Sequence, residues 1–262
     1  MSVLKALVDA MKTGEIEVVD LTADLSEDSP LLPLPPQWPN TPPFELHNIS
    51  RYDERGPAWY WNWFSTGEHT GTHFDAPVHW VSGQDLEANS VDQIPPRLFI
   101  GSASVFNAVG ESTEDPDFLV DVGYIESWER EHGRIPSKSW VLLRTDWSKR
   151  TSTEAFLNID QEGPHTPGWK REASLFLAEE RDVLGVGVET IGTDAGQAAG
   201  FDPPFCNHYV MHGHGKFGLT NLINLDKVPA TGSVVIAAPL KIVGGSGSPL
   251  RVLALVPKGG NG

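Results

Sequence analysis

Apolar Val3, Leu4, Leu7, Val8 and Met11 recur at helical spacing among Lys5, Asp9 and Lys12, which predicts an amphipathic helix over residues 1–15. Beyond it the period changes. Residues 16–21 read as a strand, and 30–43 form a proline-rich loop with Trp38 in its middle, a long ordered loop of the kind that is often functional. At 59–64 Trp59, Trp61 and Trp63 alternate with Tyr60, Asn62 and Phe64, a β-like pattern that runs towards a histidine-rich segment. Further strands are predicted at 99–106, 140–143, 183–188, 234–238 and 252–256, with helices at 120–132, 170–181 and near 207–213. Strands outnumber helices and no internal repeat is visible, so the pattern predicts one mixed α/β domain over 1–262 with an irregular sheet core.

Composition narrows the class. In 262 residues, 39% hydrophobic and 21% charged content is ordinary for a soluble globular chain, and 21 prolines with 26 glycines imply many turns. The formal charge of −16 disfavours nucleic acid and anionic membrane as partners, since phosphate binding needs clustered Lys and Arg. Cys206 is the only cysteine, which excludes an intrachain disulfide and a cysteine-based zinc cluster; a lone cysteine reads first as a small buried hydrophobe. The charges within 1–15 interrupt any signal-like apolar run, and no stretch is long enough to span a bilayer, so a cytoplasmic protein is expected.

The chemistry concentrates in residues 69–79, His-Thr-Gly-Thr-His-Phe-Asp-Ala-Pro-Val-His. Neutral imidazoles and a carboxylate are the usual ligands of a catalytic divalent metal, and three protein ligands leave room for water, which becomes a nucleophile near neutral pH. His69, His73 and Asp75 share parity, so an extended segment turns all three to one face, with Gly71 leaving space between the histidines. Pro77 argues against a helix through the segment. His79, beyond that proline, is the candidate for proton transfer. Burying four such polar groups without a partner would be costly, and a metal is the simplest partner.

The run from His69 through Gly71, Thr72, His73, Asp75 and Pro77 to His79 resembles the signature of the cyclase-type metal-dependent hydrolases, a family that includes kynurenine formamidases and isatin hydrolases. Ser65-Thr66-Gly67-Glu68 and Ala76 to Trp80 look most like the isatin hydrolases. Similarity continues at Gly192-Thr193-Asp194, Asn224-Leu225-Asp226 and Gly247-Ser248-Pro249-Leu250-Arg251. The resemblance implies the family's swivelling β/β/α fold, with a metal site at one end of a barrel-like mixed sheet. It also implies a homo-oligomer, expected to be a dimer, with a neighbour's aromatic residues near the pocket.

A second cluster, His208, His212 and His214, reads as a metal pair, a substrate-binding element or a solvated face. In the family a histidine here is followed twelve positions later by a glutamate or related polar residue, and the pair falls on His208 and Thr220. A threonine hydroxyl neither balances a second cation nor binds it strongly. One ion is therefore expected on His69, His73 and Asp75, with His208 and Thr220 near the substrate. That donor set suits Mn²⁺ or Zn²⁺, and the resemblance tilts the choice to manganese.

Trp59, Trp63 and Trp80 are candidates for an aromatic-lined pocket, though core packing is the plainer role for most tryptophans. Asp146 and Asp194 follow strand-like runs and read as turn residues or as carboxylates that orient a ligand histidine. Glu68 has the opposite parity and reads as structural. Gly245-Ser246-Gly247 lacks the spacing of a serine nucleophile elbow and reads as a loop. The expected reaction is hydrolysis of a small aromatic cyclic amide, isatin to isatinate, with His79 as base. Alternatives are N-formylkynurenine or a lactone as substrate, or a non-catalytic protein that binds metal and an aromatic ligand.

Overall fold

Alternation along the apolar runs resolves into one long sheet that buries side chains on both faces. The computed structural model describes residues 2–35 and 37–259; Met1, in the predicted first helix, Pro36, in the proline-rich loop, and the last three residues of the predicted domain lie outside the described residues. In chain order the elements are α1 (Val3–Thr13), β1 (Ile16–Asp20), β2 (Glu45–Asp53), β3 (Gly56–Ser65), β4 (His73–Asp75), β5 (Ile100–Asn107), α2 (Val109–Glu114), β6 (Leu119–Val120) and α3 (Val122–His132). They continue as β7 (Trp140–Arg144), α4 (Thr153–Leu157), β8 (Gly168–Trp169), α5 (Arg171–Leu175), β9 (Gly185–Val188), α6 (Cys206–Gly213), β10 (Phe217–Thr220), β11 (Val234–Ile236), β12 (Gly247–Pro249) and β13 (Leu253–Pro257).

Nine strands join in the order β1-β13-β11-β5-β7-β9-β10-β4-β12. The central four, β5, β7, β9 and β10, are parallel neighbours, and antiparallel strands extend the sheet on both sides. The sheet curls back on itself. Past β1, Thr22 bridges Leu222 beyond β10, and the Ile223 N–H donates to the Leu21 carbonyl at 3.0 Å. The result is the mixed α/β, barrel-like sheet that the family resemblance implied.

Period-two alternation decides the two cores. On β7, Trp140 and Leu142 face the inside of the curl with Phe74, Val105, Leu219 and Ala254, while Val141 and Leu143 face Ile125 and Trp128 of α3, Leu177 beyond α5, and Val210 and Met211 of α6. Each large side chain so buried contributes about 1.5–3 kcal/mol. Gly187 of β9 turns to the inner side, where a Cβ would come within 2.6 Å of Leu142 and 2.9 Å of Leu222.

Most predicted elements form within a residue or two of their expected ends, and three differences have physical reasons. Helix α1 forms, capped by the Ser2 side chain, but buries no residue and leaves Val3 and Leu4 exposed. Strands β2, β10 and β12 carried too little alternation to be predicted, and β10 and β12 are only four and three residues long. The extended run expected over 69–75 shrinks to β4, because residues 68–72 turn and Gly71 adopts φ +61°. Only His73 and Asp75 keep the parity relation; His69 reaches the same place through the turn.

Candidate metal centre

Strand β4 is wedged between β10 and β12, and register places Asp75 opposite Gly218 on one side and Gly247 on the other. Both glycines are required by space. A Cβ on Gly218 would lie 2.7 Å from Asp75 Oδ2, and one on Gly247 would lie 2.3 Å from the Phe74 carbonyl and 2.7 Å from His69 Cε1. The Asp75 carboxylate therefore fits into the sheet at 1% exposure.

Histidines surround it. His69 Nδ1 is 2.8 Å and His73 Nε2 3.3 Å from Asp75 Oδ1, while His208 Nε2 lies 3.8 Å from Oδ2. Short 3-10 turns over Pro77–His79 and Val81–Gly83 carry the chain against α6, where Ser82 Oγ donates to the Tyr209 carbonyl at 2.7 Å. Gly83 permits the approach, since its Cβ would lie 2.9 Å from the His212 carbonyl. As a result the His79 ring stacks on His69 at 3.8 Å and lies 5.6 Å from His208 and 6.0 Å from His212.

Hydrogen bonds set which nitrogens point inward. His73 Nδ1 donates to the Gly71 carbonyl at 2.8 Å, and His212 Nδ1 to the Lys216 carbonyl at 3.0 Å, which leaves His212 Nε2 without a partner and turns His73 Nε2 to Thr220 Oγ1 at 3.1 Å. His208 Nδ1 bonds Asp194, whose oxygens also accept the Asn207 and His208 N–H groups at 2.7 and 3.2 Å. Asp194 thus caps α6 and orients His208 at once, joining the two roles weighed for it. Asp146 takes no part: it pairs with Arg144 and Lys149.

Electrostatics divides these groups. Burial acts against the Asp75 carboxylate, but the charge of His73 and the N–H bonds that His69 and His73 donate when protonated outweigh it and hold its pKa well below the usual range; a neutral ring gives that support only through a nitrogen that carries the proton. Burial pushes His79 down to about 2 and His212 down to about 4. His208 is raised instead: burial opposes its charge, and the bond and charge of Asp194 overcome that opposition. Burial also pushes the Cys206 thiol up to about 12, so it is a packed hydrophobe and no nucleophile.

A divalent cation fits this donor set. Asp75 Oδ2 and His212 Nε2 are buried without a partner, and two groups, His69-Asp75-His79 and Asp75-His208-His212, each bring their donor atoms within 4.8 Å of one another. Asp75 belongs to both. The structure thus gathers every histidine of the 69–79 run about one carboxylate, but draws His79 into the tighter group and leaves His73 beside Thr220, whose Oγ1 is 2.9 Å from its Nδ1. Thr220 itself is fully buried.

Trp80 reaches the site, 4.8 Å from His208 and 5.6 Å from Phe205. Trp59 and Trp63 do not. They stand about half exposed on the two-stranded β2–β3 ribbon, which is separate from the nine-stranded sheet, and Trp63 stacks on His47 rather than on a site histidine. Phe205 and Ser246 were missed by sequence reasoning because their positions depend on loops; Asp194 was legible as a carboxylate that follows a strand-like run and could orient a ligand histidine.

A Cyclase family model matches residues 19–195, more than half of the sequence. The chain belongs to the cyclase family. The chain is 49% identical over 259 residues to an isatin hydrolase of Roseibium aggregatum, covering 98% of each chain. It superimposes on an isatin hydrolase bound to the product analogue thioisatinate with a TM-score of 0.96 and 48% identity, covering 98% of this chain and all of that one. A kynurenine formamidase of Sphingopyxis alaskensis is a more distant relative, 30% identical over 88% of this chain and 95% of its own length. Among the described residues no helix is long and apolar enough to cross a membrane.

Proposed function

We propose that this chain hydrolyses the carbon–nitrogen bond of a cyclic amide fused to an aromatic ring, opening isatin to isatinate. The observation that carries the reading is the buried Asp75 carboxylate with an unpartnered oxygen, ringed by histidines, on a frame nearly superimposable with a thioisatinate-bound isatin hydrolase. The proposed cofactor is one divalent ion, manganese ahead of zinc, held by His69, His73 and Asp75. When bound, such an ion supplies Lewis acidity to a carbonyl oxygen and lowers the pKa of a water.

The chain's own groups then divide the remaining work. Burial keeps His79 neutral, so its ring nitrogen is unprotonated when the water attacks, and the negative charge of Asp75 offsets part of the burial that disfavours proton uptake. The proton lost by the attacking water passes to His79 and from there to the leaving nitrogen, as the water oxygen joins the acyl carbon and the C–N bond breaks. His208, fixed by Asp194, donates from Nε2 to the substrate oxygen. Trp80 and Phe205 form the apolar wall for a flat bicyclic ring.

A second substrate, N-formylkynurenine, is favoured by the kynurenine formamidase relative and needs only a different pocket around the same chemistry. We further propose a homodimer in which the ribbon tryptophans Trp59 and Trp63 serve a neighbour's site, and a cytoplasmic location, in keeping with a single buried free thiol. The deciding experiment pairs metal analysis of the purified protein with turnover of isatin, N-formylkynurenine and a dienelactone. Isatin is expected to give the highest kcat/KM; a higher value for either competitor would overturn the choice.

A further inference from the structure

One hydrogen-bonded chain touching the centre is used neither by the proton path nor by the substrate wall. His69 Nε2 lies 2.8 Å from Ser246 Oγ. Ser246 Oγ in turn lies 2.6 Å from Glu68 Oε2, which also accepts the Ser246 N–H at 3.1 Å. The opposite nitrogen of the same ring, Nδ1, is 2.8 Å from Asp75 Oδ1.

The protons in this chain can be counted. A carboxylate only accepts, and a serine hydroxyl has a single proton. The Ser246 proton is therefore committed to Glu68, and the contact with His69 closes only when Nε2–H donates to Ser246 Oγ. A neutral ring then carries its lone pair on Nδ1, turned towards Asp75. Two acceptors that close repel each other, and a cation shared between them removes the repulsion. The 2.8 Å separation of His69 Nδ1 and Asp75 Oδ1 is short enough for both to be donors to one divalent ion. His73 and His212 are held in the opposite sense, by Nδ1–H bonds to backbone carbonyls.

The loop is shaped for this contact. A Cβ on Gly245 would lie 3.0 Å from Glu68 Oε1, and one on Gly247 would collide with His69 Cε1, so a glycine on each side lets Ser246 lie against the ring. The Ala76 N–H donates to the Ser246 carbonyl at 2.9 Å and ties the loop to the end of β4.

We propose that Glu68 and Ser246 are positioning residues that fix His69 as its Nε2–H tautomer and so aim the Nδ1 lone pair at the metal. Outer partners of this kind typically govern metal affinity by about 10–100-fold. The proposal rests on the metal reading above and is independent of the substrate. Its test is calorimetric titration of metal-free wild type, Ser246→Ala and Ser246→Thr with manganese chloride, together with nitrogen-15 NMR of the histidine rings in the zinc-loaded protein.

Ser246→Ala is expected to bind manganese about 10–100-fold more weakly, with Ser246→Thr, which keeps the hydroxyl, restoring most of the loss. The wild-type His69 ring is expected to carry its proton on Nε2. A proton found on Nδ1, or full affinity in Ser246→Ala, overturns the tautomer assignment alone. Wild type that binds neither manganese nor zinc overturns the metal reading and this proposal with it.

Discussion

His208 and His165 both stand between two carboxylates, and the contrast between them separates a site from an ordinary ion pair. His208 bonds Asp194 through Nδ1 and faces Asp75 through Nε2; His165 bonds Asp117 at 2.6 Å through Nδ1 and meets Asp160 at 3.1 Å through Nε2. Both are held towards the charged form, His165 chiefly by its hydrogen bond to Asp117. The surroundings differ. His208 sits on the first turn of α6 among His79, His212 and Trp80, all converging on a buried carboxylate oxygen with no partner. His165 spends one nitrogen on each of two diverging carboxylates, and the Asp160 side chain is 63% exposed. Pairing a histidine with an acid is common; converging several buried donors on one carboxylate is what marks a centre.

The largest effect should come from the point of convergence. Asp75→Asn is expected to lose bound metal and all hydrolysis above background, read by elemental analysis and isatin turnover. His79→Ala should lower kcat/KM by about 10²–10⁴-fold while metal content stays at the wild-type level. If the metal is lost as well, His79 belongs with His69 and Asp75 as a ligand, as their close grouping allows. Asp194→Asn should cost about 10–100-fold, because the α6 cap survives in part while the grip on His208 weakens.

His165→Gln is the far end of the comparison and should leave turnover unchanged. Its signature lies in pH. A histidine whose folded pKa is raised contributes stability that is fully present below its unfolded value of about 6.5 and is lost as pH rises through the folded value. Hydrogen-exchange protection of residues 158–165 in wild type should therefore fall as pH rises through that folded value, and the variant should show no such fall. A change in isatin turnover in His165→Gln would break the distinction drawn here.

The 69–79 run made half of the centre legible, since ligand types crowded into eleven residues leave few other readings. The rest was written in relations that sequence does not display. Parity correctly paired His73 with Asp75, but the turn at Gly71 gives His69 its place, and a left-handed glycine cannot be told from an extended one by spacing. The same parity argument set Glu68 aside, yet Glu68 reaches His69 through a serine 178 residues away. The alternating tryptophans of β3 announced a strand without revealing that its ribbon stands apart from the sheet. In the fold, long apolar runs such as β5 and β7 were plain, whereas the short β10 and β12 are defined by their neighbours, β10 by β9 and β4 and β12 by β4.

Gly218 gives the centre a meaning apart from its ligands. A single methyl there would sit 2.7 Å from Asp75 Oδ2, crowding the carboxylate oxygen that has no partner. The shape of this end of the barrel thus depends on an atom that is missing: the smallest possible addition to the chain, one carbon on a neighbouring strand, would press the Asp75 carboxylate out of its place while every histidine around it kept its identity.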